Sequence, residues 1–340
     1  MENTDSGQQV FFQHIKNNLP QHLSLVDEIA DILNISTDSA YRRIRGEKPI
    51  SFDEIKKLCS HFKISLDNLF QLNSDSYVFT GTLINNTDFN YDKWLQSCLE
   101  IIRKVKTYQP HHMSYLAKEF PFFYYFLIPE IAAFKSFFFM KSILFYEEWK
   151  GARFSVKDDY SKYHEVWRDL SKTFATIPGT EIWNVETITS TMRQIEFYHA
   201  TGAFRSDDDV ICLFEKIQKM LDHIELQAEY GVKLFFGQQP TTANGAPFNL
   251  YLNELIMGDN MQILQLGNKH FTYLNHTILN YMMTTNEKFN AYMKKTMDVI
   301  CTKSIPISVV NEKERLIFFN SLRTKIETAK QKIFSPKISY

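Results

Sequence analysis

The sequence predicts a mostly α-helical protein: a small N-terminal five-helix domain, then a larger helical domain carrying a small antiparallel β-meander at about 248–274. Three observations predict it. Glycine and proline are scarce, 11 and 10 in 340 residues, which disfavours many-turned β architectures. Helix caps and stops recur at short intervals through the first 70 residues. Beyond them, apolar residues return mainly at helical spacing and alternate like strands in one stretch.

The elements follow in order. Val10, Phe11, Ile15 and Leu19 share a face and predict a helix over 9–19. "SLVD" at 24–27 is a capping signal for a second helix, whose apolar face is Leu25, Ile29, Ile32 and Leu33. Asn34 tolerates the left-handed conformation of a tight turn. Ser36 caps a third helix through Arg45, and Gly46 stops it. "SFDE" at 51–54 is a full capping box for a fourth helix, with Ile55, Leu58, Cys59 and Phe62 inward. A fifth starts at Ser65 and carries Leu66, Leu69 and Phe70. The polar "QLNSDS" at 71–76 places a domain boundary near residue 72, giving domains 1–72 and 73–340.

In the larger domain the pattern predicts helices at about 91–106, 111–118, 122–127, 130–147, 159–174, 184–200, 207–229, 276–284, 286–302 and 311–333. Strands are expected at 248–256, 261–266 and 270–274, with "GDN" and "GNK" as turns between them.

Composition bounds function. Aromatics reach 15%, which implies a large aromatic core. The net charge of -1 gives no global attraction for nucleic acid, so any DNA binding must come from local charge. Residues 42–57 hold six Lys/Arg against three acids, a local +3. The four cysteines are far apart and form no CxxC pair, so neither a zinc site nor a disulfide framework is read, and no cofactor is expected. The first ten residues lack a basic and an apolar region, which predicts no signal peptide and a cytoplasmic protein. The aromatic segment 120–149 has a longest uncharged run of ten residues, against about 20 for a membrane span. Buried soluble helices are therefore expected there, and no membrane partner.

The second and third helices form a helix-turn-helix. Ala30 is small where they approach, and Ile29, Leu33, Ile35 and Ala40 join them. Residues 9–70 resemble the five-helix DNA-binding domain of the lambda-repressor/Cro (XRE) superfamily. The resemblance is carried by "VDEIADILNISTDSAYRRIRGEKPISFDEIKKLCSHFKISLDNLF". It implies that the third helix, 36–45, enters the major groove of double-stranded DNA. By position, it implies Thr37, Asp38, Tyr41 and Arg42 as base readers, and Ser24, Ser36, Arg45 and Lys48 as phosphate contacts. Arg43 stands where that family has an apolar residue, which leaves the orientation of Arg42 against Arg43 open. The wider arrangement is similar to regulator-like proteins of Bacteroidetes whose long C-terminal region has no established activity.

The expected function is a sequence-specific transcriptional regulator acting as a homodimer. Its C-terminal domain would dimerise and sense a small ligand or peptide. The alternative is a protein-interaction adaptor whose helix-turn-helix does not read DNA; it requires Arg42, Arg45 and Lys48 to be paired or buried. No enzyme is expected, because no G-x-S-x-G, P-loop or G-x-G-x-x-G occurs. The His111–His112 doublet reads as a surface pair at a helix start. Any apolar cavity in the larger domain would be lined by the aromatic run 120–146. The last helix, with apolar Leu316, Ile317, Phe319, Leu322 and Ile326, packs either on its own domain or on a twin subunit.

Overall fold

The computed structural model describes residues 6–20, 22–70, 72, 76–81, 89–240, 245–255 and 258–334. The chain divides into two compact units, Met1–Val78 and Phe79–Tyr340.

The first unit contains α1 (Gly7–Asn18), α2 (Leu25–Leu33), α3 (Thr37–Ile44), α4 (Phe52–Phe62) and α5 (Leu66–Phe70). Phe11, Phe12, Ile15, Ile29, Leu33, Ala40 and Leu58 are its buried core. Local chemistry sets the helix ends. Ser51 and Glu54 close a capping box at α4, and Ser36 caps α3 through the Ser39 amide. Asn34 takes the left-handed turn between α2 and α3, with φ 55° and ψ 53°. Ser24 stands at the N-cap of α2, but its side chain accepts no capping hydrogen bond, so the "SLVD" box does not form.

The second unit overturns the expectation of a mostly α domain with a small meander. Its elements are β1 (Thr80–Gly81), α6 (Tyr91–Val105), β2 (His111–Leu116), a 3₁₀ turn at Phe122–Leu127, α7 (Pro129–Phe138), α8 (Ser161–Phe174) and β3 (Gly179–Trp183). Next come α9 (Thr189–Ala200), α10 (Asp207–Tyr230), β4 (Phe248–Leu252), β5 (Met261–Leu266), β6 (Lys269–Asn275) and β7 (Tyr281–Thr284). The chain continues through α11 (Glu287–Thr302), β8 (Ile305–Pro306) and α12 (Glu312–Phe334). The strands join in one eight-stranded mixed sheet, ordered β1-β7-β6-β5-β2-β3-β4-β8. β2, β3 and β4 run parallel, and the other pairings are antiparallel.

The expected helices at 111–118 and 276–284 are therefore the strands β2 and β7, and the front of the expected helix 184–200 is preceded by β3. The expected pairing of 248–256 with 261–266 is also wrong. β4 and β5 are separated in the sheet by β3 and β2, and the antiparallel run is β5-β6-β7. Only the "GNK" turn joins neighbours, through Gly267 at φ 58°. For β2 and β3 the cause is burial on both faces, because a strand covered on both sides loses its alternation and reads like a short helix. One face carries the aromatic core contributed by α6, α7, α8, α10 and α12. On the other, Leu116, Ile182, Met261 and Ile263 pack with Met297 and Ile300 of α11.

The aromatic run is core, and no helix among the described residues is long and apolar enough to cross a membrane. The last helix, α12, buries Phe318, Phe319, Leu322 and Ile326 in its own unit and leaves Leu316 and Ile317 exposed. The histidine doublet begins β2 rather than a helix, and His112 Nε2 lies 3.0 Å from Thr180 Oγ1.

A polar row crosses the aromatic face. Tyr273, Gln262, Tyr115 and Glu181 stand directly opposite one another on β6, β5, β2 and β3. Glu181 is fully buried and accepts from Tyr124 Oη at 2.9 Å and Trp183 Nε1 at 3.0 Å. Lys233, following α10, brings its Nζ to 4.0 Å from Glu181 Oε1. A Cβ on Gly179 would lie 2.7 Å from that Nζ, so glycine leaves the room that the lysine fills.

Candidate nucleic-acid interface

The exposed surface of α3 is set by what its inner face holds. Ala40 is fully buried, and Arg43, three residues on, falls on the same inward face at 6% exposure. Its guanidinium grips Glu54 with both prongs, Nη2 to Oε1 at 2.7 Å and Nε to Oε2 at 3.2 Å. Nη1 donates to the Ser39 carbonyl at 3.1 Å. The Arg43 hydrogen bond holds the Glu54 carboxyl below its ordinary range, against the opposing effect of burial. The same Glu54 accepts from the Ser51 amide at 2.9 Å, so one carboxylate caps α4 and ties it to α3.

With Arg43 inward, Arg42 points out. Thr37, Asp38, Tyr41, Arg42, Arg45 and Lys48 are all exposed, on α3 and the loop after it. Arg45 lies over the Tyr41 ring, 5.4 Å from its centroid. Ser24 and Ser36 are exposed at the starts of α2 and α3; the Ser36 hydroxyl is already engaged with Ser39. The α3 N-terminus thus offers amides, and its C-terminal end offers the cations.

The loop from Gly46 to Lys48 folds back on α3. The amides of Glu47 and Lys48 both donate to the Arg42 carbonyl, at 2.9 and 3.2 Å. This brings Lys48 beside Arg42 and Arg45, and it brings Glu47 too. The Glu47 carboxylate is 3.4 Å from Arg45 Nε and 4.0 Å from Arg42 Nε. Lys48 forms no ion pair among the described residues.

Sequence reasoning missed Gln8 on α1. Its amide nitrogen donates to the carbonyls of Arg43 at 2.7 Å and Lys48 at 2.8 Å, and its oxygen accepts from the Ile50 amide at 3.1 Å. Gln8 thereby fixes the loop that presents the cations. No local pattern marks it, since its partners are 35 to 42 residues away. Glu47 was legible as an acid within the basic cluster, but its position depends on the loop folding back.

No curated protein and no solved structure matches the chain. Residues 19–87, about a fifth of the chain, match the family model of the BetR domain, which is similar here to a small, helical, regulator-like domain; the match takes in α2 to α5 and leaves out α1 with its Gln8.

Proposed function

We propose that the chain is a sequence-specific DNA-binding transcriptional regulator of the lambda-repressor-like helix-turn-helix type, with α3 in the major groove. The observation that carries the reading is the division between neighbouring arginines. Arg43 is spent on Glu54, while Arg42 is exposed on the outer face with Thr37, Asp38 and Tyr41. Arg42 reads a base, with a bidentate contact to guanine worth about 1–3 kcal/mol of discrimination. Arg45 and Lys48 hold phosphates, together with the helix starts at Ser24 and Ser36. One such domain reads few base pairs, so a homodimer on a two-fold site is part of the proposal. The Phe79–Tyr340 unit supplies dimerisation and senses a ligand or partner in the cytoplasm.

The test is genome-wide binding of the wild type and Arg42→Ala, with salt-dependent affinity measured on the enriched sites. The wild type is expected to bind with strong salt dependence, and Arg42→Ala to lose site preference by about tenfold or more. Absence of salt-sensitive binding by the wild type overturns the proposal.

One observation favours the adaptor reading: Glu47 sits within ion-pair range of both Arg42 and Arg45. All three side chains are about half exposed, however, and such pairs are worth about 0–1 kcal/mol, too little to hold the cations from phosphate. Glu47→Gln is therefore expected to tighten DNA binding about two- to fivefold, read by fluorescence anisotropy at fixed salt. Unchanged or weaker binding in that variant removes the competition assigned to Glu47.

A further inference from the structure

The second unit holds a cleft of about 330 Å³ between α8 and the turn that follows α10. A stripe of α8 supplies its charge. His164, Arg168 and Lys172 recur at every fourth residue, so they share one helix face, with successive Cβ atoms about 5–6 Å apart. All three are exposed. No Asp or Glu lines the cleft among the described residues. Asp169 is engaged by Arg103 at 2.6 Å and stays 4.0 Å from Arg168 Nε, and Lys172 forms no ion pair among the described residues.

The rest of the lining is mainly aromatic. Phe126 and Trp167 are buried, but the consecutive Phe235 and Phe236 are 37% and 45% exposed. Hydrogen bonds hold that pair in place. The Leu234 amide donates to Gln227 Oε1 at 2.8 Å, and His223 Nε2 donates to the Leu234 carbonyl at 3.1 Å, which ties the chain to α10. The Phe235 amide donates to Gln238 Oε1 at 3.1 Å, and the Gln238 amide donates back to the Phe235 carbonyl at 2.9 Å. Gly237, at φ 80°, makes the turn between them. Both rings thus stay in water although burial would favour them, and a fixed apolar surface of this kind beside free cations marks a binding site.

We propose that this cleft binds a small molecule in which a planar ring carries a phosphomonoester, as in a nucleotide. The size follows from the volume, which lies within the range of about 300–1,000 Å³ for small-molecule sites and is about twice the roughly 150 Å³ that accepts benzene. The negative charge follows from a lining with three basic side chains and no acid. A phosphate fits better than a carboxylate. Arg168 and Lys172 bring two permanent charges one helical turn apart, matching the charge of about −1.5 to −2 that a phosphomonoester carries near pH 7. The ring follows from Phe235 and Phe236, which offer the exposed aromatic surface. The inference rests on the reading of this unit as the sensing part and deepens it. Its test is run without DNA, so failure of the cleft leaves DNA reading untouched, and failure of DNA reading leaves the cleft standing.

The experiment is calorimetric titration of the full chain with AMP, phenyl phosphate, adenosine and inorganic phosphate. AMP is expected to bind one-to-one with a Kd below ~1 mM, and phenyl phosphate more weakly because it fills less of the cleft. Adenosine lacks the anion and inorganic phosphate lacks the ring, so each should bind at least about tenfold more weakly than AMP. The double variant Arg168→Gln with Lys172→Gln changes only exposed helical side chains, so it should fold and should weaken AMP about tenfold or more. Phe235→Ala with Phe236→Ala should weaken AMP about fivefold, with a thermal melt checking that this variant is folded. The proposal is overturned if neither AMP nor phenyl phosphate binds at millimolar concentration. It is also overturned if the Arg168/Lys172 variant or the folded Phe235/Phe236 variant binds AMP as the wild type does, or if adenosine or inorganic phosphate alone binds as tightly as AMP.

Discussion

Arg43→Ala is expected to destabilise the Met1–Val78 unit by about 3 kcal/mol and to lower its protection from hydrogen exchange. Breaking a buried, bidentate pair leaves the partner charge uncompensated and costs about 3–5 kcal/mol. The lower end applies here, because the Glu54 side chain keeps 19% of its exposure and can rehydrate. About 3 kcal/mol is roughly a quarter to three quarters of the stability of a unit this size, at roughly 0.05–0.15 kcal/mol per residue. The loss is compounded locally, since Arg43 also satisfies the Ser39 carbonyl and Glu54 caps α4. All four tryptophans of the chain, Trp94, Trp149, Trp167 and Trp183, lie outside this unit, so tryptophan fluorescence will not see the change. Hydrogen exchange by mass spectrometry over residues 25–62 will, as loss of protection. The double variant Arg43→Met with Glu54→Gln removes both charges, keeps an acceptor for the Ser51 amide, and should restore protection to within about 1 kcal/mol. If DNA binding returns with it, Arg43 acts through the fold. If protection returns and DNA binding does not, Arg43 itself touches DNA and the assignment to Arg42 fails. Full protection in Arg43→Ala would show that the pair carries little.

The arginine cluster also marks how far the sequence alone reaches. Caps and stops are local chemistry, so Ser36, Asn34 and the Ser51–Glu54 box were legible, and with them the start of α3, the turn before it and the start of α4. The orientation of Arg43 was half legible. The resemblance puts an apolar residue at that position, its charge argued outward, and the partner that resolves the conflict lies eleven residues on. Gln8 was not legible, because its carbonyl partners gather only after the loop has closed. In the second unit the amphipathic helices α6, α8, α10, α11 and α12 were readable from their stripes. β2, β3 and β7 were not. "HHMSYL" and "GTEIW" are buried on both faces, and "YMMT" carries no alternating pattern at all.

Separating Glu181 from Lys233 is expected to be the costliest single change in the Phe79–Tyr340 unit. Neither side chain has meaningful exposure, and Lys233 Nζ sits 3.4 Å from the centroid of the Phe174 ring, with no hydrogen bond of its own among the described residues. Burial drives both groups toward neutrality. It raises Glu181 to about 7 against the pull of Lys233 and its two donors, and it lowers Lys233 to about 8 against the pull of Glu181. The signs then fix the pH dependence. The folded acid holds its proton above the ordinary 4.5, so its contribution is complete below pH 4.5 and is lost as pH rises through 7. The folded amine sheds its proton below the ordinary 10.5, so its contribution is complete above pH 10.5 and is lost as pH falls through 8. The pair therefore stabilises least between pH 7 and 8, and more on either side. Glu181→Ala strands the amine and leaves Tyr124 and Trp183 without their acceptor, at an expected cost of about 3–5 kcal/mol near neutral pH. Glu181→Gln with Lys233→Met keeps an acceptor and a stem of similar length, and should lie within about 1 kcal/mol of the wild type. Guanidinium unfolding followed by tryptophan fluorescence reports on this unit, which holds all four tryptophans. Subtracting the double variant's pH profile from that of the wild type isolates the pair and should leave a minimum between pH 7 and 8. A flat difference, or a double variant as unstable as Glu181→Ala, would mean that the packing around Gly179 and Phe174, and not the paired charges, sets the stability there.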